Sequence, residues 1–218
     1  MRLHEVLSIV TVILAIVNGQ GNSVIDGNKC DINIKKVGVN PSRTSLLVLD
    51  NQNQVFQFDL ASRKLVSKQQ LDLVFPNAPR NVDLIVSNQN TLSLLDSRTF
   101  YSYSQAETGL YSASGTSNLH SRVVFYPDSA IILNSDDVIL INGGVYAHYN
   151  LAENSPKILR NRDIEYPHLP EGNFTALPFD DQPDQRDLFV FYGQKMAEYN
   201  LNEKLRKNER NFEEIFSC

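Results

Sequence analysis

Four stretches of the chain share one pattern of apolar and polar positions: LLVLDNQNQVFQFDL (46–60), TLSLLDSRTFYSYSQ (91–105), DVILINGGVYAHYNL (137–151) and DLFVFYGQKMAEYNL (187–201). Each opens on a run rich in Leu, Val, Ile or Phe, reverses through polar or glycine residues, and resumes with an aromatic-bearing run. The last two align without a gap and share six of fifteen residues: Asp137/Asp187, Gly143/Gly193, Ala147/Ala197, Tyr149/Tyr199, Asn150/Asn200 and Leu151/Leu201. Asn, Asp and Gly stand where the backbone must turn back, so the pattern predicts a β-hairpin in each stretch. Phe58, Tyr103, Tyr149 and Tyr199 fall at one place in the frame, at intervals of 45, 46 and 50 residues. Periods of this size mark propellers and solenoids.

A second element recurs between the hairpins. FPNAPRNVD (75–83) and YPHLPEGNF (166–174) both read aromatic-Pro-x-x-Pro, with Phe75 and Tyr166 91 residues apart. Proline removes an amide donor, so these segments predict crossings between sheets rather than strand interiors. The residues just before them, SKQQLDLVF (67–75) and RNRDIEY (160–166), have the composition of a short helical turn. Even strand spacing with little helical periodicity predicts an all-β protein. Four sheets of this length in a closed ring would make a four-bladed β-propeller, with blades near 30–75, 82–120, 121–170 and 174–218.

The beginning of the chain follows a different rule. Arg2, the apolar run VLSIVTVILAIV (6–17) and the small residue Gly19 read as a secretory signal peptide over 1–19, with a lead-in over 20–29. The apolar run is too short to span a bilayer, which needs about 20 residues. Export would place Cys30 and Cys218, the two cysteines of the chain, in an oxidising compartment where such a pair usually joins. Two free thiols or a bridge between chains are the alternatives. A bond between them would tie the two ends together and contribute up to about 5 kcal/mol on the chain-entropy model. The net charge of −5 argues against nucleic acid and anionic membrane as partners.

Catalytic chemistry finds little support. The histidines are His4, His120, His148 and His168, and no His-Glu-x-x-His, Cys-x-x-Cys, Gly-x-Ser-x-Gly or phosphate-cradling glycine loop accompanies them. The serines around His120 in GLYSASGTSNLHS (109–121) have loop composition, so the chain reads as a non-enzyme. Carboxylates gather in NSDDV (134–138) and FDDQPDQRD (179–187), as a surface calcium site or as ordinary turn residues, the commoner use. The aromatics Phe56/Phe58, Tyr101/Tyr103 and Tyr146/Tyr149 fit packing between neighbouring units better than a ligand-binding strip. Asn173-Phe174-Thr175 is an N-glycosylation acceptor, whereas the proline bars Asn40-Pro41-Ser42.

Taken together, the hairpins DLFVFYGQKMAEYN and DVILINGGVYAHYN, the crossing FPNAPRNVDLI and the placement of the two cysteines resemble the hemopexin-like domain family, over about 30–218. The resemblance implies a four-bladed propeller whose first and last blades are joined by Cys30–Cys218. It also implies a central channel where calcium, sodium or chloride sits at the blade starts, here near Asp31, Asp83, Arg122 and Thr175. Departures are the absence of tryptophan and the irregular blade starts. Haem carriage would draw on His120 and His168, but the chain has a single propeller and no linker. The function expected is a secreted, non-catalytic module that binds an extracellular protein, matrix polymer or glycan. Haem transport, or a structural or effector role within a matrix, egg coat or venom, is the alternative.

Overall fold

The structure, a computed structural model, describes residues 30–133, 135–178 and 187–218. The expected signal peptide (1–19) and lead-in (20–29) lie outside the described residues, as does nearly all of the acidic stretch 179–187. Among the described residues the chain is all-β, in four antiparallel meanders of four strands. Unit 1 holds β1 (Ile34–Val39), β2 (Ser45–Asp50), β3 (Gln54–Asp59) and β4 (Leu65–Gln70). Unit 2 holds β5 (Leu84–Ser87), β6 (Thr91–Asp96), β7 (Thr99–Gln105) and β8 (Tyr111–Asn118). Unit 3 holds β9 (Ser129–Ile132), β10 (Asp137–Asn142), β11 (Val145–Asn150) and β12 (Ser155–Asn161). Unit 4 holds β13 (Thr175–Pro178), β14 (Asp187–Tyr192), β15 (Lys195–Asn200) and β16 (Leu205–Asn211). The two expected helical turns are present, as α1 (Leu71–Val74) and α2 (Arg162–Glu165).

The hairpins form for local reasons. The Asp50 carboxylate accepts from the Gln52 and Gln54 amides, both at 2.8 Å, and Asn88 does the same for Asn90 and Thr91. Gly143 and Gly193 adopt φ of +53°, the left-handed conformation that a tight hairpin asks for and that glycine reaches without steric cost. After each fourth strand one amide returns to the hairpin turn of its own unit: Leu71 to Asn53, Leu119 to Arg98, Arg162 to Gly144 and Phe212 to Gln194. The outermost strand of every unit slips register beside the third, at Gln57/Phe58, Ser102/Tyr103, His148/Tyr149 and Met196/Glu198. Such irregularities twist an outer strand away from flat edge-to-edge pairing.

The expected four-bladed propeller, four separate sheets in a closed ring, is corrected. Among the described residues hydrogen bonding gives three sheets, of four, four and eight strands, and none of these closes on itself. β9 and β13 pair in parallel, Thr175 opposite Ala130 and Ala176 opposite Ile131, and so merge units 3 and 4 into the eight-stranded sheet. Ala130 and Ala176 are small enough for the two backbones to approach. Between β1 and β5 a side chain intervenes instead: Ile85 fills the space beside Gly38, where an added Cβ would lie 2.3 Å from Ile85 Cγ2.

Aromatic side chains of the third strands hold neighbouring units together, as their spacing predicts. Tyr103 packs on Phe75, Tyr149 on Phe100, and the Tyr199 hydroxyl donates to the Pro167 carbonyl at 2.9 Å. Phe58 meets Phe212 and Phe216 from the last turn of the chain. The C-terminal segment also pairs with unit 1, since the Leu65 amide donates to Ser217 and the Ser217 amide to Arg63. Beside this seam Cys30 and Cys218 form a disulfide with Cα atoms 5.3 Å apart, enclosing 188 residues of separation.

Candidate functional site

Strand register decides which residues share one end of the molecule. Ile34 lies opposite Asp50, Leu84 opposite Leu95, Ser129 opposite Ile141 and Thr175 opposite Phe191. The first strand of every unit therefore begins beside that unit's hairpin turn. Crossings, hairpin turns and inner-strand starts gather into one face.

At the middle of that face lies a lysine. Lys36, on β1, is only 9% exposed, and its Nζ donates to the Asp128 carbonyl at 3.4 Å. Burial pulls its pKa down from the usual lysine value, and the Asp83 and Asp128 carboxylates oppose that pull. Both acids stand immediately before an inner strand, β5 and β9. Asp83 accepts from Asn81 and from the Ser97 amide, while Asp128 accepts from Ser129 and Asn142.

Further out, residues 124–126 form an apolar lip. Val124 is 82% exposed and Tyr126 62%. The Arg98 guanidinium lies 5.7 Å from the Tyr126 ring centroid and donates to the Phe125 carbonyl at 3.1 Å. Asn142 pins the same segment by donating to the Tyr126 carbonyl at 2.8 Å. The lip is thus held by the hairpin turns of units 2 and 3. On the seam between units 1 and 4, Asp31, Asn33, Gln194, Asn211 and Glu213 line a polar cavity of about 500 Å3 next to Cys30.

The four residues expected around a channel ion are not brought together. Asp83 heads β5 and Thr175 opens β13, but Asp31 lines the polar cavity, and Arg122 is exposed and precedes the start of β9 by seven residues. The place expected of Arg122 belongs to Asp128. The Lys36 ammonium brings a positive charge to the Asp128 carbonyl beside these strand starts. His120 and His168 belong to different seams, with unit 3 between them. The His120 amide donates to the Tyr149 hydroxyl, whereas His168 is exposed in the crossing to unit 4. His148 Nε2 lies 3.1 Å from Asp137, so these residues assemble no axial pair for a haem within one chain.

Asp137, in the first acidic cluster, takes three partners: His148, Lys157 at 2.7 Å and Asn150 at 2.8 Å. Burial pushes its carboxyl up, but these hydrogen bonds and charges outweigh it and hold the group below the usual carboxylate value. Asn173 is exposed just before β13. Sequence reading missed Lys36, Arg98, Tyr126 and Asp128. Only Asp128 left a signal, because FYPDSA (125–130) carries the aromatic-Pro of the other crossings and, like 75–83, an Asp.

No family model and no curated protein sequence matches the chain. Solved structures do. The hemopexin fold protein CP4 from cow pea aligns with a TM-score of 0.64 at 13% identity, covering 83% of this chain and 94% of that one. A 2S albumin seed protein from Dolichos gives 0.65 at 12% identity, over 84% and 96%. LS24, a seed albumin from Lathyrus sativus, gives 0.62 at 14% identity, over 82% and 92%. At such identities the likeness is one of fold alone.

Proposed function

We propose that this is a secreted, non-catalytic binding protein with a hemopexin-like fold, and that it engages an extracellular protein through the face described above. The observation that carries the reading is the Val124–Tyr126 lip. Two large apolar side chains stand in solvent while their backbone is clamped by Arg98 and Asn142. An aromatic beside an arginine on a rigid support is the composition of an interface anchor, since Tyr and Arg are enriched among residues that dominate binding energy. A rigid anchor also loses little conformational entropy on binding. The leader, the disulfide and the Asn173 acceptor sequence favour an extracellular site of action.

The test is capture of partners from the native extracellular fluid on immobilised mature protein, alongside a Val124→Ser/Tyr126→Ser variant. A saturable protein partner that binds the wild type at least tenfold more tightly than the variant is the expected result. A partner indifferent to the double substitution, or stoichiometric haemin binding lost in His120→Ala or His168→Ala, would overturn the reading.

A further inference from the structure

We propose that Lys36 is a built-in cation that takes the place of a metal ion at the centre of the molecule. Three observations meet there. Lys36 is a nearly buried lysine on the innermost strand of unit 1, a position where a charged side chain persists only with compensating partners. Its ammonium donates to the Asp128 backbone carbonyl at the start of β9, and the Asp83 and Asp128 carboxylates are its countercharges. Those partners are a carbonyl and two carboxylates from two different units, the oxygen set that a hard divalent cation seeks. With Lys36 present, the positive charge is supplied by the chain and a second cation would be repelled.

The same geometry predicts independence from extracellular calcium. A bound ion ties inner strands together only while its concentration exceeds its dissociation constant. The lysine is present at every calcium level, and it links unit 1 to the first residues of units 2 and 3. Replacing Lys36 with a neutral side chain of similar length would remove that countercharge from Asp83 and Asp128. That variant should become a cation site, at the affinity of about 10⁻⁴–10⁻³ M typical of extracellular calcium modules.

The experiment compares the mature wild type with Lys36→Met in calcium and in EDTA, by thermal melting and by terbium luminescence. The wild-type melting temperature should be the same in 5 mM calcium and in 5 mM EDTA. Lys36→Met should melt several degrees higher in calcium than in EDTA and should bind terbium, and adding Asp128→Asn should abolish both effects. If Lys36→Met does not fold alone, refolding in calcium against EDTA reads the same property. Rescue by calcium supports the proposal, and failure of calcium to rescue counts against it. A folded Lys36→Met that ignores calcium would overturn it, as would wild-type terbium binding lost on Asp83→Asn or Asp128→Asn.

Discussion

Phe58, on the third strand of unit 1, meets Phe216, two residues from the end of the chain, edge to face with ring centroids 5.4 Å apart. Both rings are buried, and Phe212 stacks on Phe216 at 4.6 Å to complete a three-ring cluster. The seam between the first and last units therefore has an apolar core of its own beside the disulfide. Two different forces hold it, and they are separable by experiment.

Removing the covalent tie with Cys30→Ser/Cys218→Ser should lower stability by no more than about 5 kcal/mol, the chain-entropy value for so long a loop. The aromatic cluster should keep the protein folded, with native near-ultraviolet circular dichroism at 25 °C. Phe58→Ala in the oxidised protein should cost about 3–5 kcal/mol, as large-to-small changes in a core do. Urea titration of the three proteins checks the ranking. A disulfide-free variant that is unfolded at 25 °C would show that the rings contribute little.

Gly38→Ala should be far more damaging than its size implies. The new Cβ would lie 2.3 Å from Ile85 Cγ2 and 2.6 Å from Ile85 Cβ, where β1 and β5 pack. Overpacking of this kind costs about 1–3 kcal/mol or more. Ile85→Ala in the same chain removes Cγ2 but keeps Cβ, and should restore part of the loss. An unchanged urea midpoint for Gly38→Ala would mean that β1 and β5 are not in close contact in solution.

Alkaline unfolding should be steep. Burial pushes the Tyr103, Tyr166 and Tyr199 hydroxyls up to about 12, whereas an unfolded tyrosine titrates near 10. The folded state holds these protons more tightly than the unfolded one. Their stabilisation is complete below about pH 10 and is lost as pH rises towards 12. Absorbance at 295 nm should show a first group of exposed tyrosines near pH 10. The remainder should appear together with loss of β-sheet circular dichroism. A single smooth titration centred on pH 10 with the fold intact would contradict this.

Asn173 should carry an N-linked glycan when the full chain is expressed through a secretory route. It is exposed, while Phe174 and Thr175 are buried behind it and fix its direction. Asn173→Gln should remove the endoglycosidase-sensitive mass and leave the melting temperature of the deglycosylated protein unchanged. Recovery of the secreted wild type without added mass would refute the assignment.

The sequence determined what is local. Hairpin register follows from a few residues, Asp50 or Gly143 and Gly193 at the turns, and alternation then sets which side of each strand is buried. The repeat interval places Phe58, Tyr103, Tyr149 and Tyr199 at one structural position, and the lone pair of cysteines points to the bond at the seam. The joining of units was decided elsewhere. β9 pairs with β13 where Ala130 meets Thr175 and Ile131 meets Ala176, residues 45 apart in the chain, while the Ile85 side chain fills the space between β1 and β5. Lys36 reads in sequence as one of two adjacent lysines on a strand. Its meaning appears only when Asp128, brought from another unit, offers it a carbonyl and the charges of Asp83 and Asp128 oppose the cost of its burial. Burial of a charge depends on neighbours distant in sequence, and only tertiary packing supplies them.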